Sequence, residues 1–390
     1  MTVLSRRAIY NGLWMSVVCF FLFALLSGGA AHSQPMQGET PPNIVFVLVD
    51  DLGWTDVNPY SPQPNQYYET PNVTRLAGQG MAFTNAYTNA ANCAPTRAAL
   101  MSGQYYPVQP IYTVNSGARG KAKNREVIPA ENETTLPLEK VTLAERLDSA
   151  GYATAFMGKW HLGAPPDAGP KQQGFDVNVG GTATGHPSWE GGYFRPNNNP
   201  EIDDAPEGAY MTDYLFEKAT DFIHQHRDDP FYLQLSPYSV HTPLQAPEDR
   251  VRPFEQKTPI GGHNNPTYGA MVKSVDRGVG RIMETLDTLG LAENTLLVFY
   301  SDNGGLGGIN PLGSRKTGSR TTRPSKEGRE ASTRAAFGCR SSSGGRAWCG
   351  PAPPATSPSP VSTCIRPCWR RPAWRRERAI PSAAPVSCRC

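Results

Sequence analysis

The chain has 390 residues, of which 38% are hydrophobic and 18% are charged. This length and composition fit one large α/β domain or two smaller ones and exclude a wholly disordered protein. Charge is unevenly distributed, because residues 311–390 contain 16 Lys and Arg against 3 Asp and Glu, whereas residues 1–310 contain 21 against 31. The formal net charge of +3 therefore combines an acidic body with a basic tail.

The N-terminus has the pattern of a secretory signal. Arg6 and Arg7 precede an apolar stretch from Leu13 to Leu26, and small residues follow up to Ser33. This stretch is shorter than the roughly 20 apolar residues that a membrane span requires, although a membrane anchor is the alternative. We expect residues 1–33 to be a cleaved signal peptide, with export to a periplasm or to the outside and no stable membrane span.

Strand and helix signals alternate from Asn43 onward. Apolar runs predict strands at Ile44–Val49, Ala82–Tyr87, Tyr152–Met157, Phe231–Leu235 and Leu296–Tyr300, and longer periodic runs predict helices at Thr70–Gly80, Thr142–Ala150, Ala209–Arg227 and Tyr268–Leu289. Strands that are apolar on both faces and separated by helices indicate an α/β fold with a mostly parallel sheet covered on both sides. Active groups should lie beyond the carboxyl ends of its strands. Two long loops, Gln104–Thr135 and Ser188–Pro206, are candidate substrate walls.

Acidic residues end two of the predicted strands. Asp50 and Asp51 follow the first strand, and Asp302 with Asn303 follows the last. Adjacent carboxylates at the end of a buried strand repel each other and lose hydration unless a positive charge lies between them. Helix caps or turns are the alternative explanation for either pair. Oxygen ligands of this kind favour Ca²⁺ or Mg²⁺.

Cys93 stands alone in the body of the chain, since Cys19 lies in the N-terminal apolar stretch and the other six cysteines lie after residue 338. No disulfide is therefore expected in the globular part. Pro95 suits a first helical turn, so Cys93 should lie just before a helix N-terminus, where backbone N–H groups favour an anion. Arg97 in the next turn can face the same anion. A buried and inert cysteine is the alternative.

The segment from Cys93 to Gly103 has the pattern C-x-P-[ST]-R-x-x-L-x-x-G, which resembles the first signature of the type I, formylglycine-dependent sulfatases, the arylsulfatase-like enzymes. Residues Gly151–Gly163 resemble the second signature of this family, and shorter matches lie at Thr70–Asn72, Phe83–Tyr87 and Ser301–Gly305. The resemblance covers roughly Asn43 to Gly305. It implies an alkaline-phosphatase-like sandwich, so that residues 41–310 would form an incomplete sulfatase catalytic domain.

The resemblance also implies the chemistry of the site. A formylglycine-generating maturation enzyme would oxidise Cys93, and the hydrated aldehyde would supply the nucleophilic oxygen. One Ca²⁺ would be bound by the modified Cys93 and by four strand-end residues: Asp50, Asp51, Asp302 and Asn303. The resemblance places Arg97, Lys159 and His161 around the sulfate. Cations at these positions would stabilise charge on the sulfuryl oxygens. His241 would protonate the leaving oxygen of an aryl or carbohydrate sulfate.

Alternatives to this function remain open in the sequence. A phosphonate or phosphodiester hydrolase of the same superfamily can share the metal residues and the cysteine motif, although Lys159 with His161 favours sulfate. His186 and Trp189 lie in a loop where the family places substrate contacts, but the loop cannot be aligned residue by residue.

Residues 311–390 depart from the family. They contain one Leu, one Phe and no Tyr, which is too little apolar volume for a core. The family normally continues with a segment like LYEGGIRVP, a further catalytic lysine and a C-terminal subdomain, and none of these is present in the sequence. Back-translation from Thr321 in a frame shifted by two bases permits such a segment. We therefore expect a frameshifted, disordered tail.

The unusual tail leaves two further alternatives open. If the chain is made as written, an inactive truncated product is a third candidate for its function. A basic segment that binds nucleic acid or an anionic surface is the alternative explanation of the tail's charge. We expect no nucleic-acid partner.

Overall fold

Five parallel strands form the centre of the structure. They are β1 (Asn43–Val49), β2 (Ala153–Gly158), β3 (Val177–Val179), β4 (Phe231–Ser236) and β5 (Thr295–Ser301). Their order across the sheet is β3-β2-β4-β1-β5, and every neighbouring pair is parallel. The sequence prediction of an α/β fold with a mostly parallel sheet is confirmed.

This computed structural model describes residues 40–60, 67–118, 120–260 and 262–305. The predicted signal peptide at 1–33 and the predicted tail at 311–390 lie outside the described residues. The chain divides into two units after Pro41, and only two residues of the first unit are described. The sheet and its helices all belong to the second unit, from Pro42 onward.

Strand β1 shows why the sheet is buried on both faces. Successive side chains of a strand point to opposite faces. Val45, Val47 and Val49 therefore belong to one apolar core, and Phe46 and Leu48 belong to another, with none of the five more than 5% exposed. Each core needs a layer of helices to cover it.

Within the described residues, six helices supply these two layers: α1 (Pro71–Gln79), α2 (Cys93–Ser102), α3 (Leu143–Asp148), α4 (Met211–Gln225), α5 (Glu248–Glu255) and α6 (Pro266–Thr288). Helices α1, α4, α5 and α6 pack into the core of Val45, whereas α2 and α3 pack into the core of Phe46. Local signals fix two of the helix starts. The Thr142 side chain accepts from Glu145 N, and Asn265 Oδ1 accepts from Tyr268 N.

The structure corrects two sequence expectations and adds one helix that the sequence did not predict. The predicted strand Ala82–Tyr87 is wrong, because these residues form a turn with Ala86 buried and Ala82 exposed. Helix α5 was not predicted, since it contains Pro253 and buries only Phe254. Cys93 is the first residue of α2 rather than the residue before it.

Between α2 and α3 the chain forms the predicted long loop, whose described residues include three-residue 3₁₀ turns at Tyr106–Val108 and Ala122–Asn124. The Ser188–Pro206 segment is without helix or strand, and its role as a substrate wall stays a prediction. Among the helices of the described residues, none combines the length and the apolar character needed to cross a membrane.

Candidate active site

The predicted strand-end residues come together at the carboxyl edge of the sheet. Asp50 and Asp51 follow β1, and Asp302 and Asn303 follow its neighbour β5, with all four fully buried. Asn303 Nδ2 donates to Asp51 Oδ1 at 2.6 Å, and Asp51 N donates to Asp302 Oδ1 at 3.2 Å. The register that pairs Val49 with Ser301 places the two acidic segments side by side. The structure thus brings these four residues together, and their function as one site stays a prediction.

Two buried cations lie among the carboxylates. Lys159 follows β2, and its Nζ donates to both oxygens of Asp50 at 2.8 Å. Arg97 on α2 donates from Nε and Nη2 to Asp302 Oδ2 at 3.0 and 2.8 Å. Its Nη1 also donates to Lys159 O at 2.6 Å. Each cation therefore fixes one carboxylate, and Arg97 ties α2 to the segment after β2.

Cys93 lies at the N-terminus of α2 and is 1% exposed. Its sulfur and one carboxylate oxygen each of Asp50 and Asp302 all lie within 4.8 Å of one another. Burial raises the pKa of the Cys93 thiol, although Lys159 opposes this shift. A thiol that stays protonated is a poor nucleophile, because the thiolate is the reactive form. Unmodified Cys93 is therefore poorly suited to direct attack.

The electrostatic balance of the site leaves room for a further positive charge. Burial raises the pKa of Asp50 well above its ordinary value, and the neighbouring Asp302 and Asp51 raise it further against Lys159. Burial alone would also raise the pKa of Asp302, but the charges of Arg97 and Lys159 lower it to about 2. Three carboxylates thus face two cations, which is the setting in which a divalent cation is stabilising.

The donor set fits a hard divalent cation. The candidate ligand atoms are carboxylate and amide oxygens, which Ca²⁺ and Mg²⁺ prefer. Asn303 Oδ1 is buried and has no hydrogen-bond partner among the described residues. An unpaired buried oxygen costs about 1–3 kcal/mol, so a ligand for it would be stabilising.

Two predicted histidines lie at the same edge of the sheet. His241 Nε2 lies 3.6 Å from Asp51 Oδ2, and its Nδ1–H donates to Thr242 O at 2.7 Å. His161 follows Lys159 and has a positive φ of 62°, a conformation that is costly for a residue with a Cβ. Burial and the charges of Lys159 and Arg97 lower the pKa of His161 well below its ordinary value. His161 is therefore neutral at ordinary pH.

The loop that precedes Tyr193 contributes residues whose geometry the sequence could not predict. The exposed His186 ring stacks on His241, with 5.7 Å between ring centroids. A Cβ at Gly185 would collide with the His161 ring, so only glycine allows this loop to lie against it. The buried Tyr193 hydroxyl lies 2.7 Å from Tyr238 O and 2.9 Å from His241 O. Closely spaced glycines were the sequence signal for such close backbone approaches.

Comparison with known proteins decides the family. The profile of the family described as Sulfatase matches residues 42–329. The chain belongs to the sulfatase family. Human N-acetylgalactosamine-6-sulfatase is 34% identical over 283 residues, which cover 68% of this chain and 50% of that protein. N-acetylgalactosamine-6-O-sulfatase of Bacteroides thetaiotaomicron is 32% identical over 345 residues, with 72% and 63% covered.

Solved structures agree with this membership. Ps i-CgsB in complex with k-i-k-neocarrahexaose superposes with a TM-score of 0.56 at 29% identity, over 73% of this chain and 62% of that one. The phosphonate monoester hydrolase of Agrobacterium radiobacter superposes with a TM-score of 0.51 at 17% identity, over 77% of this chain and 68% of that one. At this identity the likeness shows a shared fold and nothing further. This sulfatase-family chain spans between half and two thirds of the two N-acetylgalactosamine sulfatases that it matches.

Proposed function

We propose that this member of the sulfatase family hydrolyses sulfate esters of aryl or carbohydrate alcohols. The observation that carries the proposal is the placement of Cys93, which lies within the sulfatase signature, at a helix N-terminus and beside Asp50 and Asp302. The relatives named N-acetylgalactosamine-6-sulfatase support a carbohydrate sulfate as the substrate. Sulfate is an anion, and a helix N-terminus flanked by buried cations favours anion binding.

Two groups complete the proposed site. Cys93 is the residue that a formylglycine-generating enzyme would modify, and formylglycine supplies a nucleophilic oxygen in place of the buried thiol. Four oxygen-bearing residues would bind Ca²⁺, which supplies positive charge beside the sulfate: Asp50, Asp51, Asp302 and Asn303. The unpartnered Asn303 Oδ1 and the excess of carboxylates over cations support this assignment. Export would bring the chain to a compartment that is rich in Ca²⁺.

The residues of the chain itself hold this arrangement in place. Lys159 and Arg97 orient the Asp50 and Asp302 carboxylates through hydrogen bonds and supply positive charge to the sulfuryl oxygens. Neutral His161 can hydrogen-bond the sulfate without adding charge.

His241 is the proposed proton donor to the leaving oxygen. Its Nδ1–H is committed to Thr242 O, which fixes the ring so that Nε2 faces the carboxylates. In its doubly protonated form His241 would also carry a proton on Nε2, which it would give to the alcohol oxygen as the bond to sulfur breaks, returning to the neutral ring with Nδ1–H.

Turnover of 4-nitrophenyl sulfate tests the proposal. The full chain is co-expressed with a formylglycine-generating enzyme and assayed with Ca²⁺, and the product phenolate is followed. We expect turnover that Cys93→Ala and chelation by EDTA each reduce by at least a hundredfold. The Cys19→Ala variant is the matched control, because it changes a cysteine in the predicted signal peptide. A preference for a phosphonate ester over the sulfate ester would contradict the proposal.

A further inference from the structure

An arm of the long loop between α2 and α3 begins beside the site. Residues 116–130, which we name the cationic arm, leave and return to the body at a base that is held by one side chain. Asn132 Oδ1 accepts from Tyr112 N and Thr113 N, and its Nδ2 donates to Asn115 O. The two sides of the arm are thus joined at its base by one amide side chain, which both accepts and donates hydrogen bonds.

The base of the arm contacts residues adjacent to two proposed site residues. Asn92, which precedes Cys93, donates from Nδ2 to Thr113 Oγ1 at 3.2 Å. On the returning side, Leu136 N donates to the carbonyl of Leu162, which follows His161, at 2.9 Å. Ile111 and Leu136 are fully buried in the core that contains α2. The arm therefore extends from a rigid base at the rim of the site.

The charge of the arm is opposite to that of the body. Residues 116–130 contain four basic residues and one acidic residue, Glu126, whereas residues 1–310 carry more acidic than basic groups. Lys121, Lys123 and Arg125 are exposed around the 3₁₀ turn at the tip, and Arg125 Nη2 closes the tip through a hydrogen bond to Gly120 O at 3.0 Å. The base itself carries the acidic residues Glu131 and Glu133, so positive charge is concentrated at the tip.

We propose that the cationic arm binds sulfate groups of a polysulfated glycan chain that continues beyond the ester held in the site. This inference rests on the proposed sulfatase function. Lys121 lies eight positions after Thr113 at the base, so the tip can lie at most about 29 Å from it. Charges are screened over about 8 Å at physiological ionic strength, so the cations at the tip would act on those sulfate groups of a bound chain that lie close to them.

An anionic membrane surface is the other partner that the tip could fit. Val127 and Ile128 follow the cations and are 76% and 96% exposed. The location of the arm's base favours the glycan, because Asn92 and Leu162 attach it directly beside residues that would hold a sulfate ester. A membrane contact would need no such relation to the site.

The test compares two triple variants of the full chain that remove the same charge. The arm variant is Lys121→Gln/Lys123→Gln/Arg125→Gln. The control variant is Arg75→Gln/Arg277→Gln/Arg281→Gln, which changes exposed residues on α1 and α6 in the opposite helical layer. Binding of dextran sulfate is measured over a range of salt concentrations, and turnover of 4-nitrophenyl sulfate is measured in parallel.

We expect the arm variant to bind dextran sulfate about tenfold more weakly at low salt, since each exposed ion pair contributes about a factor of two, and to lose this difference at high salt. The control variant should lose about twofold or less, and neither variant should change turnover of the small ester by more than about twofold. All six residues are exposed, so both variants should fold.

Three results would overturn the inference. The first is an equal loss of dextran sulfate binding in the two variants, and the second is no dextran sulfate binding by the chain without substitutions. The third comes from measuring binding to phosphatidylglycerol vesicles in parallel: if the arm variant lost binding to the vesicles alone, the arm would be assigned to a membrane. Failure of the proposed function is distinguishable from failure of this inference. In that case the chain without substitutions would not hydrolyse 4-nitrophenyl sulfate, while the arm-dependent binding of dextran sulfate would persist.

Discussion

Removing the charge of Lys159 should destabilise the fold strongly. Lys159 and Asp50 are both fully buried, and the ammonium donates to both carboxylate oxygens at 2.8 Å. Lys159→Met leaves an unbranched side chain that is one atom shorter, and Asp50 then retains only Arg97 as a cation among the described residues, with Nη2 at 3.7 Å. Breaking a buried ion pair by removing one partner costs about 3–5 kcal/mol. This is a large part of the roughly 5–15 kcal/mol that holds a typical domain folded.

The assay is urea unfolding in EDTA, so that no divalent cation replaces the lost charge. Lys218→Met is the matched control, because Lys218 pairs with Asp204 at the surface and both side chains are partly exposed. Exposed ion pairs contribute about 0–1 kcal/mol, so the control should lose no more than that. The double variant Asp50→Asn/Lys159→Met should lose less than the sum of the two single losses, because it leaves no unpaired charge.

The loss in Lys159→Met should also depend on pH. Burial raises the pKa of Asp50, and removal of Lys159 takes away the charge that opposes this shift. A carboxyl whose pKa is raised on folding gains stability as the pH falls through that pKa, so the variant's deficit should be smaller at pH 5 than at pH 8. A deficit below about 1 kcal/mol, or one equal to that of Lys218→Met, would refute the claim that Lys159 neutralises a buried carboxylate.

Three further predictions concern the site. The pKa of Asp302 is lowered to about 2, so its ionised carboxylate contributes about 2–3 kcal/mol to the free energy of unfolding. This contribution is present above the unfolded pKa of about 3.9 and is lost as the pH falls through about 2. In EDTA, the free energy of unfolding of Asp302→Asn should therefore fall less over that pH window than that of the chain without substitutions. Tyr193→Phe removes the hydroxyl that holds the His241 carbonyl, so kcat should fall about tenfold with KM nearly unchanged, whereas a general packing defect would change unfolding free energy instead. Gly185→Ala should displace His161 and lower kcat about tenfold, whereas Gly78→Ala on α1, whose added Cβ would have no atom within 4 Å, should not.

The sequence predicted those parts of the structure that local patterns determine. The run Ile44–Val49 is apolar at both odd and even positions, and this is sufficient to predict a strand covered on both sides. Active groups were expected beyond the carboxyl ends of the parallel strands, and the acidic residues after β1 and β5 lie together at that edge. The strand expected at Ala82–Tyr87 failed because its apolar residues pack from a turn, which periodicity cannot distinguish from a short strand.

The sequence could not predict contacts between distant segments. His186 lies 55 positions before His241, and the stacking of their rings depends on a loop whose path no local pattern specifies. The pairing of Lys159 with Asp50 and of Arg97 with Asp302 likewise depends on the order of strands in the sheet. These contacts require tertiary structure, because each joins side chains that are 55 or more residues apart.

Mass spectrometry of the Cys93 peptide tests the central claim most directly. The full chain is expressed with and without a formylglycine-generating enzyme, and the peptide containing Cys93 and Arg97 is identified after digestion of each sample. We expect the co-expressed sample to contain formylglycine at position 93 and to hydrolyse 4-nitrophenyl sulfate, and the other sample to contain cysteine and remain inactive. Formylglycine without any sulfate release, or sulfate release by a chain whose Cys93 is unmodified, would contradict the proposed function.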